Sequence, residues 1–111
     1  MNLSLYGDAR KSDGRVVITI DWEAINSDFL LAGTPFGSDG RIHNDEQCVG
    51  IVCSDCEQRY NGNVEVIVAG MIDKAEAESN SGIVLSKKAL SAMSNIRFTN
   101  DERLMSLINK E

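Results

Sequence analysis

The sequence predicts a mainly β domain with short helices, an α+β fold, and three features predict it. Two β-branched runs, "RVVITIDW" at 15–22 and "VEVIVAGMI" at 64–72, have the composition of strands. Turn signals lead into them, Asp13-Gly14 before the first and Asn61-Gly62 before the second. From Asp73 onward the chain changes to polar stretches and helical spacing with caps.

Taken in order, residues 1–14 read as an N-terminal arm. Leu3, Leu5 and Tyr6 form a brief alternating piece, and "GDARKSDG" after them is polar and flanked by glycines. Residues 15–98 read as the β-rich domain. Its first strand is 15–22, followed by the apolar patch "FLLA" at 29–32. The turn Gly33-Thr34-Pro35 comes next. Pro35 is the chain's single proline; lacking an N–H, it belongs at a sheet edge, a strand start or a bulge. Ser38-Asp39-Gly40 supplies a tight reversal into Arg41-Ile42-His43. "VGIVC" at 49–53 is a further strand in which Gly50 marks a bulge or a close backbone approach, and 64–72 is the strongest strand of the chain. "DKAEAESNSG" forms a short helix ended by Asn80-Ser81-Gly82; Ser86 caps a second helix that buries Ala89 or Leu90 with Met93; Ile96-Arg97-Phe98 returns as a strand. Thr99 to Glu102 has the form of a capping box, so 99–111 is expected to be a C-terminal helix with Leu104, Met105, Leu107 and Ile108 on its apolar side.

Composition excludes several classes of function. A chain of 111 residues is one domain by size. Its net charge of −6, with eleven scattered Lys and Arg, argues against nucleic acid as a partner. No apolar run approaches the ~20 residues of a spanning helix, and the N-terminus lacks the basic start and apolar block of a secretory signal, so no membrane partner is expected. Cys48, Cys53 and Cys56, an odd number within nine positions, fit reduced thiols in a cytosolic setting better than a disulfide framework.

One constellation has metal-site chemistry on paper. His43, Cys48, Cys53 and Cys56 include a CxxC and supply four zinc-type ligands. All four fall within fourteen residues, however, where a structural zinc site joins two separated pairs, and strand alternation turns neighbours to opposite faces. Two cysteines filling small core positions and one in a loop, beside an exposed loop histidine, is the expectation, with no metal and no cofactor. A small β-rich metal- or ligand-binding module using this cluster is the alternative. No nucleophile elbow, phosphate-binding loop or HExxH helix is present, and no catalytic residue is assigned.

The stretch "AGTPFGSDGRIHNDEQCVGIVCSD" followed by "NGNVEVIVAGMID" resembles the core of tailed-phage capsid decoration (cementing) proteins, of the lambda head-decoration type and the related head-fibre sequences. The shared pattern runs from the Ala-Gly-Thr-Pro turn (Gly33, Thr34, Pro35) through Asp39-Gly40 and Val49-Gly50-Ile51-Val52 to the Val-x-Val strand ending in Gly70-Met71-Ile72-Asp73. The late "LSKKALSAMSNIRF" resembles the helix-then-strand ending of such proteins. The resemblance covers about residues 30–98; the cysteine cluster and the last helix fall outside the pattern. It implies a small bent-ribbon, β-clip-like domain assembled as a homotrimer, made in the host cytoplasm and placed on the outer surface of the virion's capsid. There it binds the major capsid protein and reinforces the shell without chemistry. The arm residues Leu3, Leu5 and Tyr6 are then the capsid-binding candidates, suited to adding an edge strand to a partner's sheet. A head-fibre base, with the last helix supporting trimerisation, is a further expectation from the same resemblance.

Overall fold

The β-branched run after Asp13-Gly14 forms β1 (Arg15–Thr19), the first strand of the domain. The structure, a computed structural model, describes residues 14–100. Of the expected arm at 1–14, residues 1–13, with Leu3, Leu5 and Tyr6, lie outside the described residues, as does the expected C-terminal helix at 99–111 beyond Asn100; Thr99, expected to open that helix, instead ends a strand. Gly14 is buried, and its carbonyl accepts the N–H groups of Val68 and Ala69 at 2.9 and 3.3 Å.

β1 is shorter than the run that predicts it. Asp21 takes the N-cap position of a one-turn helix, α1 (Trp22–Ile25), and its side chain accepts the Ala24 N–H at 3.2 Å. The competing cap diverts Trp22 from the strand, and the indole donates instead to the Asn61 carbonyl at 2.6 Å. The chain continues through β2 (Phe29–Leu30), β3 (Pro35–Gly37), β4 (Cys48–Val52), β5 (Cys56–Glu57) and β6 (Asn63–Ile67).

The long run at 64–72 is two strands, which corrects the expectation of one. β6 ends at Ile67, and after two intervening residues β7 (Gly70–Asp73) begins in a different sheet. Gly14 is the cause on one side, holding two consecutive amides on a single carbonyl, which no regular ladder does. Gly70 is the cause on the other, with a φ of 120° that side chains rarely adopt. Helices α2 (Lys74–Ser81) and α3 (Lys87–Ala92) then cross to β8 (Ile96–Thr99), which pairs in parallel with β7. Both helices are capped where expected: Ser86 Oγ accepts the Ala89 N–H, and Gly82 closes α2 at a φ of 74°.

The result is a mainly β, α+β fold built on a curled antiparallel sheet in the order β1-β6-β4-β3. Two small sheets, β2-β5 and β7-β8, flank it. Both faces of its centre are buried, in alternation along the strands. Ile51, Cys53 and Ile67 join Ala77, Ala89, Met93 and Ile72 in one core, and Val52, Val64 and Val66 join Leu30, Phe36 and Cys56 in the other. Burial on both faces explains why "VGIVC" reads as a continuous apolar run. Gly50 fulfils its expected role: a Cβ there would stand 2.2 Å from the Ile67 carbonyl oxygen, so only glycine lets β4 lie this close to β6.

Gly33→Ala tests a close approach between helix and turn, since Gly33 has a φ of 99° and a Cβ there would stand 2.2 Å from the Ala77 carbonyl oxygen. A loss of about 2–4 kcal/mol in urea unfolding is expected. Gly62→Ala, whose Cβ meets nothing within 4 Å, should stay within about 0.5 kcal/mol of the parent.

Candidate functional site

The motif residues sit at the corners of the sheet. At Gly33-Thr34-Pro35 the chain turns from β2 into β3. The Thr34 hydroxyl donates to the Leu31 carbonyl at 2.7 Å, and Gly33 N–H and Thr34 C=O both bond to Val52. Pro35 opens β3, the outermost strand of the sheet, just before a register shift at Phe36/Gly37. A strand start, an edge and a bulge thus coincide at the one residue without an N–H. Phe36 pairs with both Gly50 and Ile42, so 35–43 is a hairpin whose tip is Ser38-Asp39-Gly40. Gly40 has a φ of 81°, and its carbonyl accepts the Asp21 N–H at 2.9 Å. Arg41 Nε meets Asp21 Oδ2 at 3.0 Å, which pins the hairpin tip to the end of β1. Gly70 lies apart from this group, where its N–H donates to the Asn95 carbonyl.

His43 is a polar centre that the hairpin creates. Its Nε2 lies 2.8 Å from Asp39 Oδ2, and its Nδ1 lies 3.5 Å from Asp45 Oδ1. The ring covers Gly37, where a Cβ would stand 2.3 Å from His43 Cδ2. The Asp39 hydrogen bond raises the His43 pKa above its ordinary value, against the opposing effect of burial. The same bond holds the Asp39 carboxyl below the usual carboxylate range. Half-buried between two carboxylates, His43 departs from the expected exposed loop residue; Asp45 is the partner that the sequence reading missed. His43, Asp39 and Cys48 line an open pocket of about 560 Å³. Both ring nitrogens face carboxylates, so neither is presented to the Cys48 thiol, which donates to the Gly50 carbonyl.

The cysteines are core residues. Cys48 and Cys53 belong to one core and Cys56 to the other, on opposite faces of the sheet, and all three are free thiols. Cys56 opens β5 and is 4% exposed, so all three thiols are buried where one was expected in a loop. Burial pushes all three thiols up from their ordinary pKa, which keeps them protonated and unreactive. Among the described residues no three His, Cys, Asp or Glu side chains gather as a metal-ligand group.

The feature that sequence reasoning missed is the edge of the sheet at β1. β1 pairs with β6 on one side and, among the described residues, with no strand on the other. Val17 is 68% exposed in the middle of it, between the Arg15–Glu65 ion pair and the Thr19–Asn63 hydrogen bond. No sequence signal marked it, since an unalternated "VVI" reads as a strand buried on both faces. No family model matches the chain, and neither a curated protein nor a solved structure matches it.

Two measurements check this geometry. His43, raised above its unfolded value, contributes stability in full below that value and loses it as the pH climbs through the folded pKa. Asp39, depressed, contributes above its unfolded value and loses it as the pH falls through the folded one. The stability difference between the parent and His43→Asn should therefore be largest near pH ~5 and shrink above pH ~7 in urea titrations. In the second, a thiol reagent should label none of Cys48, Cys53 and Cys56 in the folded protein within minutes, and all three after unfolding.

Proposed function

We propose that the protein is a structural subunit, a decoration or cementing protein of a tailed-phage capsid, acting as a trimer on the outer surface of the head. The observation that carries the reading is the use of the motif residues. Gly33, Thr34, Pro35, Gly40 and Gly50, which carry the resemblance, are spent on corners and close backbone approaches. Turns at these positions suit the bent-ribbon, β-clip-like domain of this proposal. Charge supports the same reading, since a net −6 suits a protein surface better than packaged nucleic acid.

Exposed apolar side chains favour assembly over a solitary domain. Val17, Tyr60 and Val84 are each more than two-thirds exposed, and Phe29 more than half. Closed rotational symmetry is the usual way to cover such surface in identical copies, and many weak contacts on a lattice add through avidity. The alternative, a metal- or ligand-binding module using His43 and the cysteines, has no gathered ligand set among the described residues to favour it.

Sedimentation and head binding test the proposal together. The purified protein should sediment as a trimer and bind expanded heads in preference to unexpanded ones. A monomer that ignores expanded heads overturns the reading. Removing residues 1–13, which spares the Gly14 carbonyl and its two hydrogen bonds, should leave the trimer intact and weaken head binding at least tenfold.

A further inference from the structure

Two exposed surfaces on this chain complement each other in charge. The first is on the β2-β5 ribbon. Phe29 is in register with Glu57, so the two side chains share a face, while Leu30 and Cys56 turn into the core behind them. Phe29 is 54% exposed and borders an open pocket of about 520 Å³, lined also by Asp28, Glu57, Gln58 and Arg59. The Asp28 carboxylate meets no cation among the described residues, and Arg59 reaches Glu57 only at 3.9 Å while lying over the Tyr60 ring, 5.1 Å from its centroid. Two carboxylates and one guanidinium beside an uncovered phenyl ring suit an ammonium group on an aliphatic stem.

The second surface is the outer side of α3. Ala89 is fully buried in the other core, and Lys87, Lys88, Ser91 and Ala92 line, with Glu46, an open pocket of about 440 Å³. Both lysines are exposed and form no ion pair among the described residues. They stand in the first turn of α3, which holds no acidic residue and where the helix dipole disfavours cations. Their own helix therefore leaves their charge uncompensated. The cores behind the two surfaces lie on opposite faces of the sheet, so one copy cannot close them on each other.

We propose that these surfaces are the two halves of one contact between copies of this chain, with Lys87 and Lys88 of one copy seated on Phe29, Asp28 and Glu57 of the next. A lysine stem covers the phenyl ring and its ammonium meets the Asp28 carboxylate, so exposed apolar surface and unpaired charge are removed together. Charge selects the occupant. The ribbon pocket carries one net negative charge and the α3 pocket one net positive charge. A chain of net charge −6 repels its own copies elsewhere, which narrows the places where two can meet. Because the two surfaces differ, the contact runs head to tail. A ring with an odd number of copies needs a contact of that kind, since a two-fold contact pairs a surface with itself. The closing of the ring at three rests on the trimer proposed above; the pairing of the two surfaces does not.

Sedimentation of the full chain is compared for the parent, for Asp28→Lys, for Lys87→Glu with Lys88→Glu, and for all three substitutions together. Every substituted side chain is exposed and outside both cores. Asp28→Lys alone and the lysine pair alone should each weaken self-association about tenfold or more, through like charges placed face to face. The combination should restore it to within about threefold of the parent. Loss in only one of the two, or loss that the combination does not restore, overturns the pairing. Full association in every variant overturns it and leaves the trimer reading standing, whereas a monomeric parent overturns both. Variants that associate like the parent but lose binding to expanded heads assign the surfaces to the capsid, which also overturns the inference.

Discussion

The approach of α2 to the turn at Gly33 joins the two parts of this fold. α2 carries Ala77 against a backbone with no Cβ, and the fit leaves both Ala32 and Ala77 fully buried. The same helix reaches the turn a second time through Asn80, whose amide donates to the Ala32 carbonyl at 2.7 Å and to Asp55 at 3.1 Å. Asp55 in turn accepts the Ala32 N–H at 2.8 Å, so helix, turn and the segment after β4 share one polar knot beside one apolar contact. Through α2, the parallel β7-β8 pair is held over the curled sheet, and the larger core forms between them. A side chain at Gly33 would part these layers and open that core along its length.

Much of this architecture was legible from local chemistry. Asp73, Ser86, Gly82 and Pro35 each carry a backbone preference that needs no tertiary partner, and each sits where that preference puts it. α2 illustrates the point, since "KAEAESNS" has little apolar periodicity and is identified by its caps. Tertiary contacts erased two other readings. The single strand at 64–72 fails because Gly14, far away in sequence, takes the amides of Val68 and Ala69. The long first strand fails because Asp21 both caps α1 and anchors Arg41 of the hairpin. Composition sees neither, because each depends on which distant backbone group arrives.

The candidate site was less legible than the fold, for a related reason. His43 and the three cysteines look like one ligand set in the sequence because they are close along the chain. Alternation at odd spacing parts Cys53 from Cys56, while the register shift opposite Cys48 leaves it in the same core as Cys53, so the thiols are divided between two cores. Asn44 shows the reverse case, a residue with no motif value that ties the hairpin to α3. Its side chain bonds to both Val84 and Ser86, and its carbonyl accepts the Ser86 hydroxyl. His43 and Asn44 thus hold the hairpin from either side, one through carboxylates and one through a helix cap.

An open edge beside a buried centre puts two demands on one strand. β1 must present Val16 and Ile18 to the core that Val64 and Val66 build, yet among the described residues it has neighbours on one side alone. Natural sheets protect such edges with charge, a bulge or a covering segment. Here the far end is covered by the Gly40 hairpin and one face carries the Arg15–Glu65 pair, but among the described residues no segment covers the edge from Val16 to Ile18. Val17, 68% exposed in the middle of that stretch, is therefore the side chain that any covering segment meets first.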